Sequence, residues 1–234
     1  MFRICVKRTA TAAISRALEA TLVISLLLFA VGCAPKLYSV NVSYRSSAST
    51  SPIAGSGQKS VITVASFNDV RPGGKDLLVG RVTTAMGGII SVIPKNMPPS
   101  TAVSAIVKDV LVQSGDQVSV IMPDWNLKEN TIRQDWGDII VGGNIEELEI
   151  ACQNDIPIKT YEARVKLTMV IADVQTGRIL HQFSTTSKNS LEHIYFSEEM
   201  LGQQISSAIT EAAEKAFEGN VLKKIKGALK KPAS

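Results

Sequence analysis

Tyr161-Glu162-Ala163-Arg164-Val165-Lys166-Leu167-Thr168-Met169-Val170-Ile171-Ala172-Asp173-Val174-Gln175-Thr176-Gly177 is the stretch that decides the fold class of this 234-residue chain. Ala163, Val165, Leu167, Met169 and Ile171 alternate with Glu162, Arg164, Lys166 and Thr168. A period of two sets one face of a strand in a core and the other in water. Gln175-Thr176-Gly177 then turns the chain into residues 178–187, which predicts an antiparallel hairpin with Gly177 in the left-handed conformation. Residues 139–150 read as a second long strand just upstream.

The neighbouring segments supply the rest of a layered domain. Residues 61–67 are rich in β-branched side chains and predict a strand that stops in a turn at Asn68-Asp69. Residues 77–82 and 89–93 flank Met86-Gly87-Gly88 as a hairpin. Pro98-Pro99-Ser100-Thr101 opens a helix whose Val103, Ile106, Val107, Val110 and Leu111 form one apolar stripe, closed by Ser114-Gly115. Residues 118–122 follow as a strand, and residues 123–137 form a polar loop that holds Trp125 and Trp136. Ser197 is the expected N-cap of a second helix, with Glu198 and Glu199 in its first turn and Leu201, Ile205, Ala208, Ile209, Ala212 and Ala216 on its packed face. After the breaker pair Gly219-Asn220, Val221, Leu222, Ile225, Ala228 and Leu229 oppose Lys223, Lys224, Lys226, Lys230 and Lys231. The expected architecture is α+β: a mostly antiparallel sheet with two principal helices packed on one face, plus a short C-terminal amphipathic helix.

The N-terminus carries an address. Arg3, Lys7, Arg8 and Arg16 make a positive region ahead of an apolar run over residues 20–31, too short to span a bilayer comfortably. Ala30-Val31-Gly32-Cys33 resembles the lipobox of bacterial lipoproteins. That resemblance implies removal of residues 1–32 and lipidation of Cys33, with palmitate-type acyl chains as a membrane anchor; an ordinary signal peptide cut nearby is the alternative. Four basic residues and one acidic residue leave with the signal, so the remaining chain has a formal net charge of +1. Nucleic acid, which requires a concentrated cationic face, is disfavoured as a partner. Residues 33–60 are rich in serine, with Pro35, Pro52, Gly55 and Gly57, and read as a flexible tether. Lys36-Leu37-Tyr38-Ser39-Val40-Asn41-Val42 alternates weakly inside it, as a short strand would. The expected domains are the signal peptide at 1–32, the lipidated tether at 33–60, a globular α+β domain at 61–218 and a basic amphipathic tail at 219–234.

Groups that could perform chemistry are sparse. His181 and His193 have neither the spacing nor the cysteine partners of a zinc site, so no metal and no cofactor is expected. Cys152 ends a strand-like run and reads as a buried, inert thiol, with an activated nucleophile as the sharper alternative. Asp69 and Arg71 pair or cap local backbone in the simplest reading, while a pocket gathering Asp69, Arg71 and His181 would point to a hydrolase. Gly142-Gly143 lacks the rest of a dinucleotide-binding fingerprint and reads as backbone accommodation. Trp125 and Trp136 are candidate partner contacts, or they fold back onto the edge of the core. Lys223, Lys224, Lys226, Lys230 and Lys231 are candidate contacts to anionic headgroups, or the polar side of a helix docked on its own domain.

The lipobox, Phe67-Asn68-Asp69-Val70-Arg71, Val79-Gly80-Arg81-Val82 with Gly87-Gly88, Gln113-Ser114-Gly115, and Val141-Gly142-Gly143-Asn144-Ile145 with Asp173-Val174-Gln175-Thr176-Gly177 together resemble the YajG-like family of bacterial lipoproteins, over residues 61–218. The resemblance implies a lipid-anchored periplasmic domain without an assigned reaction, and it carries over no catalytic residues. By its likeness to lipoprotein sorting signals, Ala34 after the cysteine implies delivery to the outer membrane, facing the periplasm, with the inner membrane as the alternative. The expected function is a non-enzymatic scaffold or accessory subunit of a cell-envelope assembly or transport system, with envelope proteins as partners. The alternative is a binding protein for an anionic or lipidic envelope ligand.

Overall fold

A computed structural model describes residues 36–46, 60–73 and 77–218. Its contacts divide the chain at Lys36, and every other described residue falls in the second unit, Leu37–Ser234. The elements run β1 (Leu37–Val40), β2 (Val61–Val64), β3 (Asn68–Asp69), β4 (Gly80–Thr84), β5 (Ile89–Pro94), α1 (Pro99–Gln113), β6 (Gln117–Val118), β7 (Ile139–Asn154), β8 (Lys159–Asp173), β9 (Arg178–His193) and α2 (Glu198–Phe217). Among the described residues the class is α+β, with two α-helices over one face of a nine-stranded sheet.

The spine is the meander β7–β8–β9, whose strands pair antiparallel over almost their whole length. Every odd residue of β8 from Tyr161 to Ile171 is buried in the main core, as the alternation requires. Gly177 turns β8 into β9 with φ of +66°. On its other edge β7 is shared in succession by β2, β3 and β4, all parallel to it. The sheet is therefore mixed rather than mostly antiparallel. The two long ladders are antiparallel because short turns join them, whereas the short strands reach β7 through crossovers that bring them back in the same direction.

A bulge in β7 keeps its apolar side chains on the helix face. Ile139, Val141 and Ile145 face the core, the register slips between Ile145 and Glu147, and Leu148, Ile150 and Cys152 take over from there. One extra residue, Glu146, absorbs the change of parity that the sequence itself shows.

Helix α2 has the expected N-cap, with Ser197 Oγ accepting from the Glu199 backbone N–H, and its predicted face is buried. Leu201, Ile205 and Ile209 each contribute about 2 kcal/mol by leaving water. Helix α1 buries Val103, Ile106, Val107, Val110 and Leu111 against the same core.

Three local expectations are corrected. Asn68-Asp69 is not a terminal turn but the strand β3, because Asn68 and Asp69 pair with Asn144 and Ile145 of β7. The strand expected over 118–122 shrinks to β6, because Pro123 has no N–H to donate and pairing resumes only at the Ser66–Asp124 bridge. The predicted tether at 33–60 contains part of the fold: β1 pairs with β5, and Tyr38, Val40 and Val42 are buried. Residues 41–45 then run along α2, whose Gly202, Ser206 and Thr210 recur every four residues. A side chain on Gly202 would meet the Asn41 carbonyl at 2.6 Å. The hydroxyls of Ser206 and Thr210 accept the backbone N–H groups of Ser43 and Arg45.

Candidate functional site

The bulge that preserves the core also builds a charged cleft on the opposite face. Glu146, Glu147 and Glu149 project away from the helices, beside the even-numbered outer residues of β8. Lys166 Nζ lies 2.6 Å from Glu146, and Thr168 donates to the same carboxylate. These two hydrogen bonds, Lys166 first, hold the Glu146 carboxyl below its usual range against the opposing pull of burial. Arg164 bridges Glu149 at 2.7 Å and Glu147 at 3.3 Å, and Arg81 of β4 reaches Glu149 at 3.4 Å.

Arg71 closes the cleft from the other side. Its guanidinium meets Asp69 at 2.6 Å, both side chains being 11% exposed. It also donates to the carbonyls of Leu78 and Leu148 at 3.0 and 2.8 Å. One side chain thus fastens β3, the segment before β4 and the bulged strand together. Gly80 allows the close approach, since a Cβ there would lie 1.9 Å from the Ile150 carbonyl oxygen. The cleft holds about 500 Å³ and is lined by Arg71, Arg81 and the bulge glutamates, with exposed Leu78 and Ile89 at its rim. Val70 and Leu77, beside it in sequence, are also exposed.

Asp69 and Arg71 therefore pair with each other and bond the local backbone. His181 does not join them: it is exposed on β9 against Phe183, with β7 and β8 between it and β3. His193 Nδ1 is engaged by the Tyr195 backbone. Burial pushes the Cys152 thiol up to about 11, partly offset by a hydrogen bond with Tyr161, so at neutral pH it is a protonated thiol in the core. Among the described residues, no group of three His, Cys, Asp or Glu side chains is placed to hold a metal ion, and no helix is long and apolar enough to cross a membrane.

The two tryptophans are corrected as open contacts. Trp125 is 2% and Trp136 7% exposed, in a second core with Ala65, Ile140, Val170, Ala172 and Val174 on the face away from the helices. Trp125 lies on Gly142, where a Cβ would stand 2.7 Å from the ring, and its indole N–H donates to the Lys128 carbonyl. Gly143 makes the same allowance for Phe67 at 2.6 Å. The glycine pair accommodates two aromatic rings. Trp125, buried with its N–H satisfied, presents no face to a partner. Cys33, Lys223, Lys224, Lys226, Lys230 and Lys231 lie outside the described residues.

Sequence reasoning missed the cleft. Its one visible trace was Glu146-Glu147-Leu148-Glu149, where strand alternation breaks within a run of acids.

No family model and no curated protein matches the chain. Among solved structures, it is similar to protein XCC0632 from Xanthomonas campestris, assigned to the DUF330 family model, at 10% identity with a TM-score of 0.51 over 83% of this chain and 99% of that one. This likeness establishes a shared fold. Other similar structures include lipoprotein GNA1162 from Neisseria meningitidis (14% identity, TM-score 0.26, 66% of this chain and 98% of that chain) and a protein from Caulobacter crescentus described as a putative lipoprotein (14%, 0.31, 72% and 94%).

Proposed function

We propose that this chain is a non-enzymatic, lipid-anchored lipoprotein of the YajG-like kind. Acyl chains on Cys33 hold it at the periplasmic face of the outer membrane, where it serves as a scaffold or accessory subunit of an envelope assembly or transport system. The lipobox motivates the anchor, and attachment to a surface raises the effective concentration of the domain near membrane-bound partners. The observation that carries the scaffold reading is the state of the cleft. Its acids and cations are paired with one another, and what it offers outward is the apolar rim around Leu78 and Ile89. Apolar surface beside satisfied polar groups is the chemistry of protein docking.

A photo-crosslinking residue at Leu78, in cells making the full chain, tests this against the same residue at Leu180, exposed on β9. An envelope protein captured at Leu78 and not at Leu180 is the expected outcome. Lipid alone at Leu78 overturns scaffolding and favours the second reading, a binding protein for an anionic or lipidic ligand. That second reading draws on the cleft volume and on the half-exposed guanidinium of Arg81. Its mark would be ligand binding that weakens steeply with added salt.

A further inference from the structure

Strand directions bring several separate segments to one end of the sheet. Asn154 of β7 pairs with Lys159 of β8, and Lys159 with His193 of β9, so residues 155–158 and 194–196 lie together. Thr84 of β4 pairs with Asn154, which places the β4–β5 turn beside them. Strand β1 runs parallel to β5 and starts at the same end, with Leu37 opposite Ser91.

Large apolar side chains are left in water at this end, as they also are at the cleft rim and at Val120 and Ile121 beyond β6. Met86 is 100%, Ile156 84%, Tyr195 69% and Ile194 59% exposed, and Ile158 and Leu37 are about half exposed. They come from four chain segments far apart in sequence, and the Tyr38 ring beside Leu37 lies 5.0 Å from the Phe196 ring beside Tyr195. Exposed apolar groups gathered at one end of a folded domain mark a surface that something covers.

The covalent chain says what covers it. Cys33 precedes Leu37 by four residues, and four residues span at most about 14 Å when fully extended. An acyl group on that cysteine therefore keeps the leaflet within about one strand length of this end and of no other.

We infer that the end of the sheet bearing Leu37, Met86, Ile156, Ile158, Ile194 and Tyr195 rests in the headgroup boundary of the leaflet that holds the anchor. The inference builds on the lipid-anchor reading of Cys33 and adds an orientation to it. The aliphatic tips enter the upper acyl region, as the apolar face of an interfacial helix does, and the Tyr195 ring sits at headgroup depth with its hydroxyl in water. The cleft runs along β4 and β7 from Ile89, near this end, and its Leu78 and Arg71 side is then held at a set height above the membrane.

The test uses the full processed protein in phosphatidylethanolamine/phosphatidylglycerol vesicles with or without bromines on the acyl chains. Tryptophan is introduced singly by Met86→Trp, by Ile156→Trp, and by Gln175→Trp at the opposite end, with emission of the unsubstituted protein subtracted as the background of Trp125 and Trp136. Mass measurement of the same samples reads acylation at Cys33. Brominated lipid is expected to quench Met86→Trp and Ile156→Trp by about twofold and to leave Gln175→Trp unchanged. With Cys33 acylated, equal quenching at both ends or none at either overturns the orientation while leaving the anchor intact. With Cys33 unmodified, the anchor fails, and quenching confined to the Met86 and Ile156 sites still supports a membrane-seeking end, whereas its absence overturns it. Capture of a protein by a photo-crosslinker at Ile156, without quenching there, assigns the surface to a protein partner and also overturns the inference.

Discussion

The two turns of the β7–β8–β9 meander each join a pair of long antiparallel strands and yet meet water in opposite ways. Between β8 and β9, the buried Asp173 carboxylate accepts the Gln175 N–H at 2.9 Å and the Thr176 hydroxyl at 2.7 Å. Val174 is buried, with its N–H on the Asp138 carbonyl. Between β7 and β8, Ile156 and Ile158 stand in water, and Met86 of the β4–β5 turn and Ile194 and Tyr195 of the segment after β9 lie exposed at the same end. A turn closed by its own side chains is a finished surface. A turn surrounded by exposed apolar groups leaves its surface open, and the contrast lies within one meander.

The most forceful way to break this contrast is Gly80→Ala, which drives a methyl group to within 1.9 Å of the Ile150 carbonyl and parts β4 from β7. The expected loss is about 3 kcal/mol in urea unfolding, since backbone must shift to admit it. The β4–β5 turn that carries Met86 would come loose with it. A loss under about 1 kcal/mol would mean that the two strands are not so tightly joined.

Asp173→Ala acts on the other end alone. Two hydrogen bonds accepted by a buried carboxylate disappear, and stability should fall by about 2 kcal/mol. Bromolipid quenching at Ile156→Trp should persist in the doubly substituted protein. Loss of that quenching would show that the two ends are not independent.

The smallest effect sharpens the comparison at mid-sheet. The Glu146 carboxyl is held below its ordinary 4.5 because Lys166 and Thr168 donate to its charged form. The unfolded chain thus takes up this proton more readily than the folded one. The contribution is complete above about pH 4.5 and fades as pH falls through the lower folded value. Glu146→Gln should accordingly lose less stability than the parent between neutral pH and about pH 3, read as the shift in urea midpoint. Equal losses would place the acid sensitivity elsewhere.

Much of the fold was legible because its signals are local. The odd-residue stripe of β8, the left-handed Gly177, the Ser197 cap and the stripes of α1 and α2 each depend on residues within a turn or two. The weak alternation at 36–42 proved to be β1, although its serine-rich surroundings read as a tether, because composition cannot register the edge of β5 that receives it. The candidate cleft was barely legible. Asp69 and Arg71 were visible as a pair, but their value as a clamp depends on the carbonyls of Leu78 and Leu148, the latter far along the chain. Trp125 and Trp136 sit in a polar loop and still became core, because Gly142 leaves room for a ring that only the folded chain delivers.

Residue order alone determined the periods, caps and turns, and with them an α+β domain behind a leader that resembles a lipoprotein signal. Tertiary structure decided which short strands flank β7, where its bulge falls, and that apolar residues from distant segments gather at the end where β1 begins. The physical reason is range. Helical and strand periods arise from neighbours along the backbone, whereas pairing of segments tens of residues apart depends on which closures bury the most apolar surface for the entropy they cost.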